Sequence, residues 1–445
     1  EPSNCMQSSH EDGRVFDPVN AFSESCFWEA QTTPYIRCWS RARKNVNDAV
    51  LKLYDQDPET SHVLMFTSGM NAISAIIDAY SRGGPKGSIV LHGSEMYSDV
   101  WYSMNYICGK KTESRFVDVR DDEAVLRRFR DDGDKLLLFI VEVCTNASGQ
   151  IFNFDLISQL QTLAPDCVIV VDNTWLSPVS CNPFKYGADL VVESTTKHVS
   201  GCNAIGGMVT GRRTVMEPLA QWSAFFGIHV SSEHCRALEA QMLSIHPRHA
   251  TAASIALDIA LWLQSQPELT NRVLHPLLPS HPCHHRAIKF FNADLGPTVF
   301  LFHVSAPVDA VREDLQGLTE SGSTILSQTS YGAPSSRFDP WPTEGRSDEF
   351  EWEEEEEEGT GSKGGSGTWV RLSVGYMAGA SSLRKDVEDF IRRVKARVAG
   401  GSVSQESRDV AAQAWPGERF GGVRDEYLVP KRWRRAQAGA PCPGR

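Results

Sequence analysis

Two residues at the ends of apolar runs carry the first chemical signal in this chain. Within residues 168–207, VIVVDNTWLSPVSCNPFKYGADLVVESTTKHVSGCNAIGG, Asp172 follows one β-branched run, and Lys197 follows a second behind Ser194, Thr195 and Thr196. A lysine whose proton is easily lost is a nucleophile suited to Schiff-base chemistry with an aldehyde. A buried carboxylate can keep a pyridine nitrogen protonated, and hydroxyls beside helix N-terminal N–H groups can hold a phosphate. Pyridoxal 5'-phosphate needs all three. On residue types alone the other reading stays open, in which the acid caps a turn and the lysine lies at the surface.

The elements that must position these groups are short and apolar. Residues 168–171 form a run too short for a helix and read as a strand buried on both faces, with Asp172 at its carboxyl end, the edge where open α/β sheets bind ligands. Residues 187–194 repeat the pattern. Residues 62–66 read as a strand whose continuation, Thr67-Ser68-Gly69-Met70, turns into a helix over 71–81. A glycine there lets backbone N–H groups approach a phosphate at the positive end of the helix dipole. Further strands are expected over 88–92 and 136–143 and near Ala204, giving a mainly parallel sheet wrapped by helices. Helices follow over 235–245 and 250–264. A smaller α+β C-terminal domain begins near Leu295, with strands at 299–304 and 369–374 and helices at 307–320 and 381–398. The last carries Leu383, Val387, Phe390, Ile391, Val394 and Val398 on one stripe.

The segment VVDNTWLSP…NPFKYGADLVVESTTKH…GG resembles the cofactor-lysine signature of the Cys/Met-metabolism family of pyridoxal-phosphate enzymes, which includes cystathionine γ-synthase, the cystathionine lyases and methionine γ-lyase. The resemblance implies a fold-type I transferase with pyridoxal 5'-phosphate as cofactor. It implies Lys197 as the Schiff-base lysine, Asp172 as partner of the pyridine nitrogen, and Ser194 and Thr196 as phosphate ligands. Ser68, Gly69 and Met70 match the family's Ser-Gly-Met phosphate loop. Tyr97 matches a tyrosine that stacks over the pyridine and moves protons, although a core tyrosine is the other reading. Asn146 matches an asparagine that bonds the phenolic oxygen, with Glu142 behind it.

Tyr35 and Arg37 match a pair that reaches the phosphate of a neighbouring subunit, which implies a homodimer or homotetramer with shared active sites. Ser330 lies in a stretch resembling the substrate loop, and Arg371 in an R-L-S-V-G stretch whose arginine binds the substrate α-carboxylate. The family's Asn-Pro-Thr is replaced by Ser40-Arg41-Ala42, and Asp99 stands where methionine γ-lyases carry cysteine.

Length and charge set outer bounds. At 445 residues the chain is long enough for two or three lobes, here an arm at 1–50, a cofactor-binding domain at 51–294, a small domain at 295–400 and a tail at 401–445. The net charge is −12, and nine acids between Asp348 and Glu358 leave about −3 for the rest, so no basic face for nucleic acid is expected. Those acids fall in residues 343–367, which read as a solvated insertion. Eleven scattered cysteines fit a reducing, cytoplasmic setting, and no apolar run is long enough for a membrane span. Two adjacent histidines in His281-Pro-Cys-His-His285 cannot both face one ion, so no metal site is expected.

Small amino acids are the expected substrates. The resemblance leaves the reaction open between γ-replacement on an O-acyl-homoserine, towards which the breadth of the γ-synthase branch inclines the reading, and β- or γ-elimination of cystathionine. Thr329 stands where cystathionine-handling relatives often carry glutamate, whereas Tyr331 matches the aromatic residue of β-lyases. A non-catalytic scaffold is the alternative of another class.

Overall fold

Alternation of apolar side chains along the central strands sets the layers of the molecule. The computed structural model describes residues 40–108, 112–292, 295–318, 323, 325–341 and 367–400; Tyr35, Arg37, nearly all of the acidic insertion and the 401–445 tail lie outside them. Seven strands form the first sheet: β1 (Ser61–Phe66), β2 (Ser88–Gly93), β3 (Thr112–Val117), β4 (Leu136–Glu142), β5 (Val168–Asp172), β6 (Leu190–Glu193) and β7 (Gly207–Arg212). Their order is β1-β7-β6-β5-β4-β2-β3, with β7 antiparallel to both neighbours and the other pairs parallel.

Successive residues point to opposite faces. Phe139, Val141, Ile169 and Val171 join one buried cluster, and Leu138, Ile140 and Val170 join another. Helices Arg41–Leu53 and Asp122–Asp132 cover the first face, and helices Gly69–Ser81, Ser98–Ile107 and Arg213–Phe225 cover the second. Burial on both faces is why β4 and β5 are almost continuously apolar.

A second, smaller sheet has the order β10-β11-β12-β9-β8, from β8 (Val273–Leu274), β9 (Val299–Val304), β10 (Ile325–Ser327), β11 (Ser336–Trp341) and β12 (Thr368–Ser373). Its cluster takes Leu383, Val387, Phe390, Ile391 and Val394 from helix Ala380–Ala399, whereas Val398 is exposed, so the expected stripe ends one turn early. Helix Ile245–Gln264 begins five residues before the expected position, with Pro247 in the first turn where no N–H is needed. Its early residue Ile245 packs in the large-sheet cluster, and Ala256, Ile259 and Leu263 pack in the small-sheet one.

Other departures have local causes. The helix expected at 71 starts at Gly69, because Ser68 caps it by accepting from the Asn71 N–H at 3.0 Å. The strand expected near Ala204 starts at Gly207. β3 and β11 were not foreseen: β3 is a polar edge strand, TESRFV, and β11 contains Pro340. That proline is tolerated because β10 pairs only as far as Phe338. The seven cysteines placed among the described residues are free, and no described helix is long and apolar enough to cross a membrane.

Phe139 is fully buried and meets Phe129 and Phe152 edge-on at 5.3 and 5.5 Å. Phe139→Ala is expected to destabilise the protein by about 3–5 kcal/mol, read as a lowered urea midpoint.

Candidate active site

The parallel register of β4 and β5 sets Glu142 directly beside Asp172 at the carboxyl edge of the large sheet. Asp172 Oδ1 accepts from the Thr174 N–H at 2.9 Å, and Thr174 Oγ1 accepts from the Ser194 N–H at 2.8 Å, which ties the end of β5 to the residue following β6. Glu142 accepts from two backbone groups, the N–H of Tyr97 at 2.5 Å and that of Asn146 at 3.2 Å. One carboxyl thereby fixes two loops. Burial raises the pKa of both acids, and the nearby Asp172 charge raises that of Glu142 further.

Lys197 sits in the turn after β6, its Nζ donating to Ser330 Oγ at 2.6 Å and lying 5.0 Å from the centre of the Tyr331 ring. Burial, more than the nearby Arg371 and Arg337, lowers its pKa to about 8. The loop carrying Ser330 is held close by two left-handed residues, Ser330 (φ 87°) and Gly332 (φ 83°). A Cβ on Gly332 would lie 2.7 Å from the Lys197 carbonyl carbon, so only glycine permits this approach. Tyr331, beside the lysine amine, meets Trp175 edge-on at 4.9 Å.

Arg371, on β12, is buried. Nη1 donates to Asn146 Oδ1 at 3.2 Å, and Nη2 donates to Thr329 Oγ1 and to Asp339 Oδ2, the latter at 2.9 Å. Lys197, Ser330, Thr329, Arg371, Asn146, Glu142 and Asp172 therefore form one connected group drawn from both sheets.

The N-terminus of helix Gly69–Ser81 lies against the 194–196 loop. A Cβ on Gly69 would sit 2.6 Å from Ser194 Cβ, and one on Gly207 would sit 2.3 Å from the Ser68 carbonyl oxygen. Thr196 Oγ1 accepts from the Gly206 N–H at 3.1 Å and closes that loop. Met70 also packs against the apolar cluster under the helix. Tyr97 precedes helix Ser98–Ile107 and is partly exposed.

Sequence reasoning missed several positioning residues. Asp339 and Thr329 hold Arg371. Glu95 accepts from Thr145 Oγ1 at 2.8 Å and from Ser148 Oγ. Glu193 accepts from the Tyr54 hydroxyl just before Ser194, and Asn173 donates to that hydroxyl at 2.9 Å. An acid interrupting the apolar run of β6 was the available signal for Glu193. His281 is paired with the Ser148 carbonyl at 2.9 Å.

The residues fit the implied cofactor. Among the described residues no ion pair reaches Asp172, and this buried carboxyl beside Glu142 would be balanced by a protonated pyridine nitrogen. The helix N-terminus beside Ser194 offers N–H groups for a phosphate, and Lys197 offers a readily deprotonated amine.

The arrangement sets a lysine and an acid at the carboxyl edge of a mainly parallel sheet, with an arginine delivered from a second sheet, as in an α/β enzyme of two sheets. The model of the Cys/Met metabolism PLP-dependent enzymes matches residues 15–389, and the chain belongs to this family. The L-alanine/L-glutamate racemase of Wolbachia pipientis is 22% identical over 53% of this chain, which spans 57% of that relative. The cystathionine γ-synthase of Escherichia coli is 27% identical over 69% of this chain and 78% of its own length. Further relatives bear the names cystathionine γ-lyase and cystathionine β-lyase. A cystathionine γ-synthase structure from Xanthomonas oryzae superposes with a TM-score of 0.68 at 22% identity, covering 82% of this chain and 88% of that one, which establishes the shared fold.

The lowered lysine pKa gives a direct expectation. In cofactor-free protein, acylation of Lys197 followed by peptide mass analysis should rise with pH around a midpoint near 8, because the neutral amine replaces the ammonium as pH passes the pKa. A midpoint near ~10.4, the value of an exposed lysine, would show that the amine is solvated.

Proposed function

We propose that this enzyme carries out γ-replacement on an O-activated homoserine in trans-sulfuration, with Lys197 as its proton-transfer base. The carrying observation is the placement of the Lys197 amine between Ser330 and Tyr331, in the same connected group as Arg371. The γ-synthase relative, matched over more than three quarters of its own length, supports the same choice.

Pyridoxal 5'-phosphate, when bound, supplies the electron sink that makes protons at the amino-acid Cα removable. Asp172, a buried carboxyl at the strand edge, would favour a positive charge at the pyridine nitrogen. Arg371 would bind the substrate carboxylate, and Asn146, which accepts from Arg371 Nη1, would face the cofactor's phenolic oxygen. Lys197 Nζ takes the Cα proton and delivers protons along the side chain, a role its lowered pKa suits. Ser330 Oγ accepts from the amine and fixes its direction. Tyr97, partly exposed before helix Ser98–Ile107, would stack on the ring and offer a second proton carrier. Ser68, Gly69, Met70, Ser194 and Thr196, brought together where Gly69 lies against Ser194, would hold the phosphate.

A second reading, β- or γ-elimination of cystathionine, draws on the Tyr331–Trp175 pair, whose Tyr331 lies beside the lysine. Incubation with O-acetylhomoserine, O-succinylhomoserine plus cysteine, and cystathionine alone, with products identified by mass, separates the two. Thioether formation from an acyl-homoserine supports replacement, and release of free thiol from cystathionine alone supports elimination. Borohydride reduction and peptide mapping should place the cofactor adduct on Lys197, and Lys197→Ala should abolish both adduct and turnover. An adduct on another lysine would overturn the assignment.

We also propose that Tyr35 and Arg37 complete the phosphate site of a second subunit in a homodimer or homotetramer. A doubly charged phosphate is well served by a guanidinium fork arriving from outside the lobe. Mixing Arg37→Ala chains with Lys197→Ala chains should restore activity, since one site in a mixed dimer then has both residues. Mixed dimers seen by mass analysis but inactive would show that Arg37 serves its own chain.

A further inference from the structure

Asp339 and Arg371 are directly opposed partners on the antiparallel strands β11 and β12, so sheet register alone places their side chains on one face. Both are buried, and Asp339 Oδ2 lies 2.9 Å from Arg371 Nη2. The same nitrogen donates to Thr329 Oγ1, so its two hydrogens are committed to Asp339 and Thr329. Nη1 donates to Asn146 Oδ1. Trp341 adds a further constraint, its ring centre 5.1 Å from the guanidinium carbon.

A carboxylate that arrives at this guanidinium meets one already offset by a resident carboxylate. It also cannot use the two-nitrogen fork of Nη1 and Nη2 unless Asp339 or Thr329 gives way. We propose that Asp339 sets substrate selectivity by neutralising Arg371. The site then discriminates only weakly, by about tenfold, against primary amines and carboxyl-blocked amino acids. This rests on the reading of Arg371 as the carboxylate-binding residue. Asp339 touches no substrate; it acts through the arginine, as a positioning and charge-setting residue.

The test uses holoenzyme, with binding read from the change in cofactor absorbance. Two probes are titrated at one pH: L-norleucine, and pentylamine, which is the same skeleton without the carboxylate. In the unaltered enzyme the preference for norleucine should stay near tenfold, whereas an uncompensated fork of two charge-assisted hydrogen bonds would give about a hundredfold or more. A hundredfold preference overturns the proposal even if no variant folds. Asp339→Asn keeps an acceptor of the same shape and removes the charge. It should raise the preference about tenfold or more, with pentylamine affinity unchanged, as expected for removing one nearby charge at low dielectric. An unchanged or lowered preference means that Asp339 is only a structural support, and the proposal fails. The variant Asp339→Asn/Arg371→Gln, which removes both charges, checks the underlying reading separately. A preference that survives in it shows that the carboxylate binds elsewhere. A preference that collapses in it, with no rise in Asp339→Asn alone, leaves the arginine reading standing and rejects the role of Asp339.

Discussion

The constraint on which the rest of the structure depends is the burial of one amine. Lys197 lies where an ammonium is poorly solvated, and its proton becomes cheap to lose because water is kept away. That environment is assembled from the end of β6, the 329–332 loop and the Trp175–Tyr331 rings, and each part has its own means of staying in place. The loop approaches through a glycine that leaves no room for a side chain, and Ser330 is anchored when its carbonyl accepts from Ser373 Oγ on β12. A lysine on a solvated strand end would have the same sequence and little of the reactivity.

Carboxyls at the same edge face the opposite problem. Glu142 and Asp172 are side by side on neighbouring parallel strands, and burial works against the charge of both. The arrangement divides the labour. Glu142 spends its oxygens on the backbone of Tyr97 and Asn146, so it shapes loops, while Asp172 accepts one N–H bond, from Thr174. Parallel pairing is what makes this possible, because it brings the carboxyl ends of consecutive sheet neighbours to one edge.

How much of this was readable depends on the range of the interaction. Asp172 and Lys197 were legible because each breaks an apolar β-branched run at a strand end, a pattern contained within a few residues. The helix after β1 was legible from Ser68-Gly69-Met70, but its start was misplaced by two residues because the capping role of the Ser68 hydroxyl depends on backbone geometry. β3 was missed because an edge strand covered on few sides has no need of apolar alternation. Asp339 was missed for a different reason. Pro340 argues against a strand, and the pairing with Arg371 is fixed by register across more than thirty residues, including the acidic insertion. Tyr35 and Arg37 lie outside the described residues, so the resemblance alone speaks for them.

The cross-strand pair of Asp339 and Arg371 also bears on how such a site can change over generations. Losing either partner alone leaves a buried charge without compensation, a step that costs about 3–5 kcal/mol, a large share of the ~5–15 kcal/mol that holds a typical domain folded. Replacing both together with neutral side chains is far milder. The two codons are therefore tied, and drift at one is purged until the other moves. A change at this position therefore costs least as a double step or in a stabilised background.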